Sequence, residues 1–97
     1  MKHERLLRRD DGSRVKIRVE LTTDFTSDVP RWKWNCLSCA AGCRTWTPPV
    51  SQDDFAWRRL SYEDRQLDER RRSLLLVSES EVAETMRELI ALIVPSV

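Results

Sequence analysis

An alternation of apolar and polar side chains over residues 14–22 constrains the fold of this chain more than any other feature. Its apolar members are Val15, Ile17, Val19 and Leu21. A period of two with β-branched residues is typical of a strand with one buried and one solvated face. Asp11 and Gly12 precede this strand and predict a hairpin turn of type I′, which needs positive φ at both central residues. Residues 4–9 are then the partner strand, and their charges suit a sheet edge.

Residues 31–46, RWKWNCLSCAAGCRTW, contain three of the four tryptophans and all three cysteines. We expect them to form a second hairpin around a three-residue loop at 40–42, with Gly42 in the left-handed region. Residues 22–30 would connect the two hairpins. The two prolines at 48–49 would end the sheet, because proline cannot donate a ladder hydrogen bond.

In such a hairpin Cys36 lies opposite Trp46, and Cys39 lies opposite Cys43. Side chains alternate along a strand, so one face would carry Trp32, Trp34, Cys36 and Trp46. The other face would carry Arg31, Lys33, Asn35, Thr45 and Thr47. This separation favours a core-facing sheet over a base-stacking surface, which needs aromatic and cationic groups on the same side.

A C-terminal helix is predicted to begin after Ser78. Ser78 and Glu81 have the spacing of a capping box, and Val77 and Val82 have that of a hydrophobic staple. Apolar residues then recur at helical spacing until Pro95 ends the helix. This stripe comprises Val82, Met86, Leu89, Ile90 and Ile93. We expect it to pack on the inner face of the sheet.

A second helix is predicted over about residues 62–76, with Ser61 as its N-cap. Leu67 is the residue expected to point inward. Residues 74–77 either finish this helix or form a short buried strand. Upstream, residues 53–60 are expected to form a short turn or helical segment.

The predicted fold class is α+β: a small antiparallel sheet of three to four strands, as two consecutive hairpins, packed on one face by two C-terminal helices. We expect a single domain over residues 1–97, with the sheet at about 4–48 and the helical part at about 53–94. The expected core comprises Val15, Ile17, Val19, Trp34, Trp46, Met86, Leu89, Ile90 and Ile93.

The spacing C-x-x-C-x-x-x-C of Cys36, Cys39 and Cys43 raises the question of a metal site. Structural zinc needs four ligands, and His3 is the one histidine that could complete the set. Alternation along a strand would place Cys36 and Cys39 on opposite faces, so we expect neither a metal nor another cofactor. A redox pair or an iron–sulfur cluster has still less support. Instead we expect Cys36 to be buried and the other two thiols to be reactive near the loop.

The net charge argues against a polycation and an acidic DNA mimic, and the lack of a long apolar run argues against a membrane protein. The net charge is +1, and no apolar run approaches the roughly 20 residues of a membrane span. The first residues lack the apolar stretch of a signal peptide. Since an odd cysteine count also fits a reducing compartment, we expect a cytoplasmic location.

Catalytic chemistry has little support in the sequence. His3 lies close to the N-terminus, where a nucleophile–histidine pair would be hard to hold. The carboxylates of Asp53 and Asp54 are better explained as turn and capping residues. We therefore expect a non-enzymatic protein.

The preferred hypothesis is a protein-binding module of accessory, adaptor or inhibitor type. Trp, Tyr and Arg are frequent interface anchors, and a surface patch of Phe55, Trp57, Arg58, Arg59 and Tyr62 is the predicted site. Alternatively, Phe55 and Trp57 close one end of the core. The composition, rich in Trp and Arg, also has the general look of accessory proteins from phages and other mobile elements.

The main alternative is nucleic-acid binding through the basic outer face of the first hairpin, joined by two cations of the second. Its predicted residues are Arg14, Lys16, Arg18, Arg31 and Lys33. A second alternative is a zinc-stapled binding module built on the cysteines and His3.

Overall fold

The computed structural model describes residues 1–24, 27–50 and 53–93, with side chains apart from 23, 24 and 27–30. Its strands are β1 (Lys2–Arg8), β2 (Arg14–Asp24) and β3 (Ser27–Cys39), which form an antiparallel sheet in the order β1-β2-β3. Its helices are α1 (Phe55–Arg58), α2 (Tyr62–Ser73) and α3 (Glu79–Ile93). The predicted α+β class is confirmed. The stop expected at Pro95 lies outside the described residues.

Residues 9–13 separate β1 from β2, and a hydrogen bond between Arg9 and Ser13 leaves a loop of three residues, 10–12, instead of two. The Arg9 amide donates to the Ser13 carbonyl at 2.8 Å, and the Gly12 amide donates to the Arg9 carbonyl at 3.0 Å. Gly12 has φ 87°, whereas Asp11 does not have positive φ. The type I′ prediction was therefore wrong. The observed loop is a turn closed by a left-handed glycine, and the Asp11 carboxylate secures it by accepting from the Ser13 amide at 2.8 Å.

The second hairpin joins β2 to β3, which corrects the predicted Trp/Cys hairpin. The two strands pair from Arg14↔Cys39 to Asp24↔Ser27, so residues 22–30 are mostly strand rather than a connection. Beyond β3, pairing is reduced to an isolated bridge between Ser38 and Thr47. The long register with β2 satisfies more backbone groups than a local hairpin could, and an unpaired buried backbone group is costly.

The core lies between α3 and one face of the sheet, the inner face. Its buried members are Val15, Ile17, Val19, Cys36, Val77, Val82 and Leu89, and the partly buried Trp32, Trp34, Met86 and Ile93 pack against it. Two expected core residues are elsewhere. Ile90 is 44% exposed, because α3 turns Val82, Thr85 and Leu89 toward the sheet. Trp46 lies on the opposite face of the sheet, as shown below.

Helix α2 packs against β3 and is shorter than predicted. Ser61 caps it as expected, since its hydroxyl accepts from the Asp64 amide at 3.2 Å. Leu67 is 60% exposed, so the prediction that it points inward was wrong. The residue of α2 that is buried is Ser73. Residues 74–77 form turns rather than a strand.

The capping box of α3 is confirmed. The Ser78 amide donates to Glu81 Oε1 at 2.9 Å, and the Glu81 amide donates to Ser78 Oγ at 3.1 Å. Val77 and Val82, the predicted staple, are both buried in the core. Across the described part of the chain, every helix is too short or too polar to cross a bilayer.

Candidate nucleic-acid interface and other candidate sites

The sheet face opposite the helices, here the outer face, gathers cations. Side chains alternate along each strand, so Arg14, Lys16 and Arg18 point away from the core residues of β2. The strand register places further cations on the same side. The full set is Lys2, Arg8, Arg14, Lys16, Arg18, Arg31 and Lys33. Among the residues whose side chains the structure describes, the acidic ones on this face are Glu4 and Glu20, so a positive surplus remains. All five residues predicted for nucleic-acid binding therefore share one face.

An apolar row crosses the middle of the outer face. Leu6 and Leu37 are the register partners of Lys16 on its two sides. Leu6 is 47% exposed, and Leu37 is half-buried. The outer face therefore offers apolar contact surface between its cations.

Trp46 also lies on the outer face, contrary to the prediction that it belongs to the core. The Lys16 ammonium is 4.2 Å from its ring centroid, and the Arg14 guanidinium is 5.4 Å away. The pairing register explains this position. The observed bridge pairs Ser38 with Thr47, whereas the predicted hairpin paired Cys36 with Trp46. The two registers differ by an odd number of residues, and such a shift turns every side chain to the other face.

Part of the outer-face charge is compensated locally. The Glu4 carboxylate accepts from Arg18 Nε at 2.7 Å and lies 3.8 Å from the Lys16 ammonium. Arg14 Nη2 donates to the Cys43 carbonyl at 3.0 Å. Arg31 and Lys33 are exposed. Both side chains can therefore be reached by an anionic ligand, although Arg31 also has an interaction within the chain.

A second row of acidic and basic residues, which was not predicted, joins α3 to β1 and to Arg9 just after β1, on the inner side. Its pairs are Arg9–Glu81 at 2.8 Å, Arg5–Glu84 at 2.9 Å and His3–Glu88 at 2.8 Å. The signal was present, because the three glutamates recur at helical spacing and the three basic residues occupy positions of one face over residues 3–9. His3 is thus held in a strand and is not at a loose terminus.

The ligand set of the zinc alternative is not brought together. Cys36 faces the core, Cys39 follows on the outer side of β3, and His3 contacts Glu88. Among the described residues, no group of three or more His, Cys, Asp or Glu side chains is arranged to hold a metal ion.

The thiols differ in exposure from the prediction. Cys43 is exposed as expected, but Cys39 is 1% exposed. Its Sγ donates to the Cys43 carbonyl at 3.0 Å. Cys36 is buried as expected, and burial raises the pKa of its thiol.

The predicted helical patch is only partly assembled. Phe55 is 65% exposed and Tyr62 is 72% exposed. The Arg59 guanidinium stacks 4.7 Å from the Phe55 ring centroid, and Arg58 is exposed. Trp57 is half-buried, with the Arg65 guanidinium 5.6 Å from its ring centroid. The alternative role of closing the core therefore suits Trp57 better than Phe55.

A groove of about 840 Å³ separates α2 from one end of the sheet. Its aromatic lining comes from Trp32, Trp34 and Tyr62, and its polar lining includes Glu69 and Arg70. The sequence analysis placed both tryptophans in or beside the core and did not anticipate this groove. Tyr62 therefore belongs to the groove as well as to the helical patch.

Comparison of this chain with protein-family models, with curated proteins and with solved structures found no match. Function is therefore inferred from the chemistry of these surfaces.

Proposed function

We propose that this chain is a non-enzymatic binding protein that binds nucleic acid through the outer face. The observation that carries the proposal is that Trp46 shares this face with seven Lys and Arg side chains and two Glu. The sequence alone ranked a protein partner first, partly by elimination and partly on the aromatic and Arg residues of the helical part, and the separation of tryptophans from cations counted against nucleic acid. The position of Trp46 removes that objection.

The small net charge of +1 does not weaken this proposal, because binding depends on how charge is distributed. Glu81, Glu84 and Glu88 lie on α3, where they pair with Arg5 and Arg9 on the inner side. The outer face, where Glu4 contacts Lys16 and Arg18, therefore keeps a surplus of positive charge. Cations that neutralise phosphates release condensed counterions, and this release supplies most of the non-specific affinity for nucleic acid.

The test is a fluorescence anisotropy titration with labelled oligonucleotides, single-stranded and duplex, at several low salt concentrations. We expect micromolar binding that weakens with salt. Lys33→Ala should reduce the slope of log K against log salt by about 0.7 on a single strand. Arg87→Ala, which removes an exposed charge from α3, is the matched control and should leave the slope unchanged. No binding to any oligonucleotide at micromolar protein would overturn the proposal.

A protein partner is the second candidate function, favoured by the exposure of Phe55 and Tyr62 on helices. Affinity capture from the native host should enrich a protein with the parent chain. Phe55→Ala and Tyr62→Ala should lose it. Leu92→Ala, which removes a 71% exposed side chain from α3, should retain it. Equal capture by all four proteins would contradict this candidate.

A cytosolic location belongs to the same proposal and is supported by the odd cysteine count. Origin in a phage or mobile element stays a prediction from composition. The zinc-stapled module gains no support from the placement of Cys36 and Cys39 on opposite sides of β3.

A further inference from the structure

We infer that the outer face prefers single-stranded to double-stranded nucleic acid, and that Trp46 stacks on an unpaired base. This inference rests on the proposed function and names the form of its ligand. Non-specific single-strand binding combines a cationic track for the phosphates with aromatic groups for the bases. Trp46, with the Lys16 ammonium and the Arg14 guanidinium over its ring, supplies an aromatic group and two cations at one place.

The apolar row favours unpaired bases over a duplex. A duplex presents phosphates, sugars and the edges of its bases, while the faces of its bases remain stacked inside. It would leave Leu6, Leu37 and the indole of Trp46 with little to contact. A single strand can turn its bases onto these groups, with its phosphates toward the flanking cations. Each part of the outer face is then used.

The shape of the outer face points the same way. Helices α1, α2 and α3 follow the sheet, and the core places α3 against its inner side. The helices that the structure describes are thus not positioned to enter a major groove from the outer face. An extended strand can instead lie across the surface.

The test is an anisotropy titration of the 97-residue chain with a labelled strand of about twelve thymidines and a duplex of equal length at the same salt. We expect the single strand to bind at least about tenfold more tightly. Equal or tighter binding of the duplex would overturn the inference and leave the proposed function standing. Failure of both probes to bind would overturn both.

Variants at Trp46 test stacking itself. Trp46→Ala should weaken single-strand binding about five- to 150-fold, as expected for the loss of one stacked base, with little effect on the duplex. Trp46→Phe keeps a ring and should retain most of the affinity. Trp46→Leu fills the space without a π face, so it should behave like the alanine variant and separates stacking from packing.

Phe55→Ala, which removes an exposed aromatic ring from α1, is the control and should bind as the parent does. Circular dichroism should show the same fold for each variant. Parental affinity in folded Trp46→Leu would overturn the stacking role. A polyglutamate peptide that competes as well as the oligonucleotide would also overturn it, because the outer face would then recognise charge alone.

Discussion

Glu81 connects two elements through one side chain. Its carboxylate accepts from the Ser78 amide at the start of α3 and from both terminal nitrogens of Arg9 at 2.8 and 2.9 Å. Arg9 also donates to the Leu76 carbonyl. The Arg9 guanidinium is the main reason that the pKa of Glu81 falls to about 2. The capping box was predictable from local spacing. The contact of Glu81 with Arg9, just after β1, was not, because it depends on which strand α3 covers.

This link should make stability depend on pH. The folded pKa of Glu81 is below its ordinary value of 4.5, so the unfolded chain binds the proton more readily. The stabilisation is complete above about pH 4.5 and is lost as pH falls through about 2. A shift of this size corresponds to roughly 3 kcal/mol, which solvent screening at this partly exposed pair reduces to about 1–2 kcal/mol.

Glu81→Gln should therefore lower the free energy of unfolding at pH 7, and the difference from the parent should shrink toward pH 2. Urea denaturation at a series of pH values measures this. Glu84→Gln, at a pair whose carboxylate is 50% exposed, should have a smaller effect. A loss that is independent of pH would contradict the role assigned to Glu81.

Leu89 and Ile90 are adjacent residues with opposite surroundings. Both belong to the apolar stripe of α3, and this stripe is so wide that the sequence alone does not decide which of its residues face the sheet. The glutamates that meet Arg5 and Arg9 help to fix that rotation. Leu89 is then 3% exposed and Ile90 is 44% exposed.

Leu89→Ala should destabilise the protein by about 2–5 kcal/mol, because it removes a buried side chain and leaves a cavity. Ile90→Ala should cost less than about 1 kcal/mol, since its side chain is already partly solvated. Denaturation midpoints in urea compare the two. Equal losses would mean that α3 docks with a different rotation.

The cysteines give a chemical readout of the segment that follows β3. Cys43 is exposed, while Cys36 and Cys39 are each 1% exposed. A thiol reagent should label Cys43 rapidly in the native protein, and all three thiols should react in denaturant. Burial raises the pKa of Cys36, which slows it further because the thiolate is the reactive form. Rapid native labelling of Cys39 would contradict the placement of this segment.

At the scale of elements, the features that could be predicted are those that depend on interactions between residues close in the sequence. The alternation of β2 and the caps of α2 and α3 could be identified because each depends on neighbours within a few residues. The pairing of β3 with β2 could not, because it depends on distant partners. The register of the Ser38–Thr47 bridge then decided the face of Trp46, and with it the composition of the candidate site.

The β1–β2 loop offers a test at this scale. Gly12 has φ 87°, and a Cβ added there would lie 3.3 Å from the Ala41 Cβ. Gly12→Ala should cost about 1–2 kcal/mol from the left-handed backbone, and the close contact adds to this. Gly42→Ala, at φ 77° with open space around it, measures the backbone strain alone. A larger loss at Gly42 than at Gly12 in urea denaturation would contradict the observed packing.

At the scale of the whole molecule, charge is divided between layers. The first fifty residues carry ten Lys or Arg and six Asp or Glu, while the remainder carry seven and ten. This imbalance was visible in the sequence. Its arrangement was not, because the strand register and the position of α3 decide that Arg5 and Arg9 pair with helix glutamates while seven other Lys and Arg residues share the outer face.

The helices also differ in how many residues they bury, and this difference predicts the order in which the elements open locally. Helix α1 has no buried residue and α2 has Ser73 alone, whereas α3 buries Val82, Thr85 and Leu89. Elements with few buried apolar contacts open at low free energy, and core strands open near the global value. Native-state hydrogen exchange should therefore show the slowest amides in β2 and α3, and the fastest helical amides in α1 and the first half of α2. The outer face would then be a rigid surface, while Phe55 and Tyr62 lie on elements that open readily. Amides of α2 that exchange as slowly as those of β2 would contradict this order.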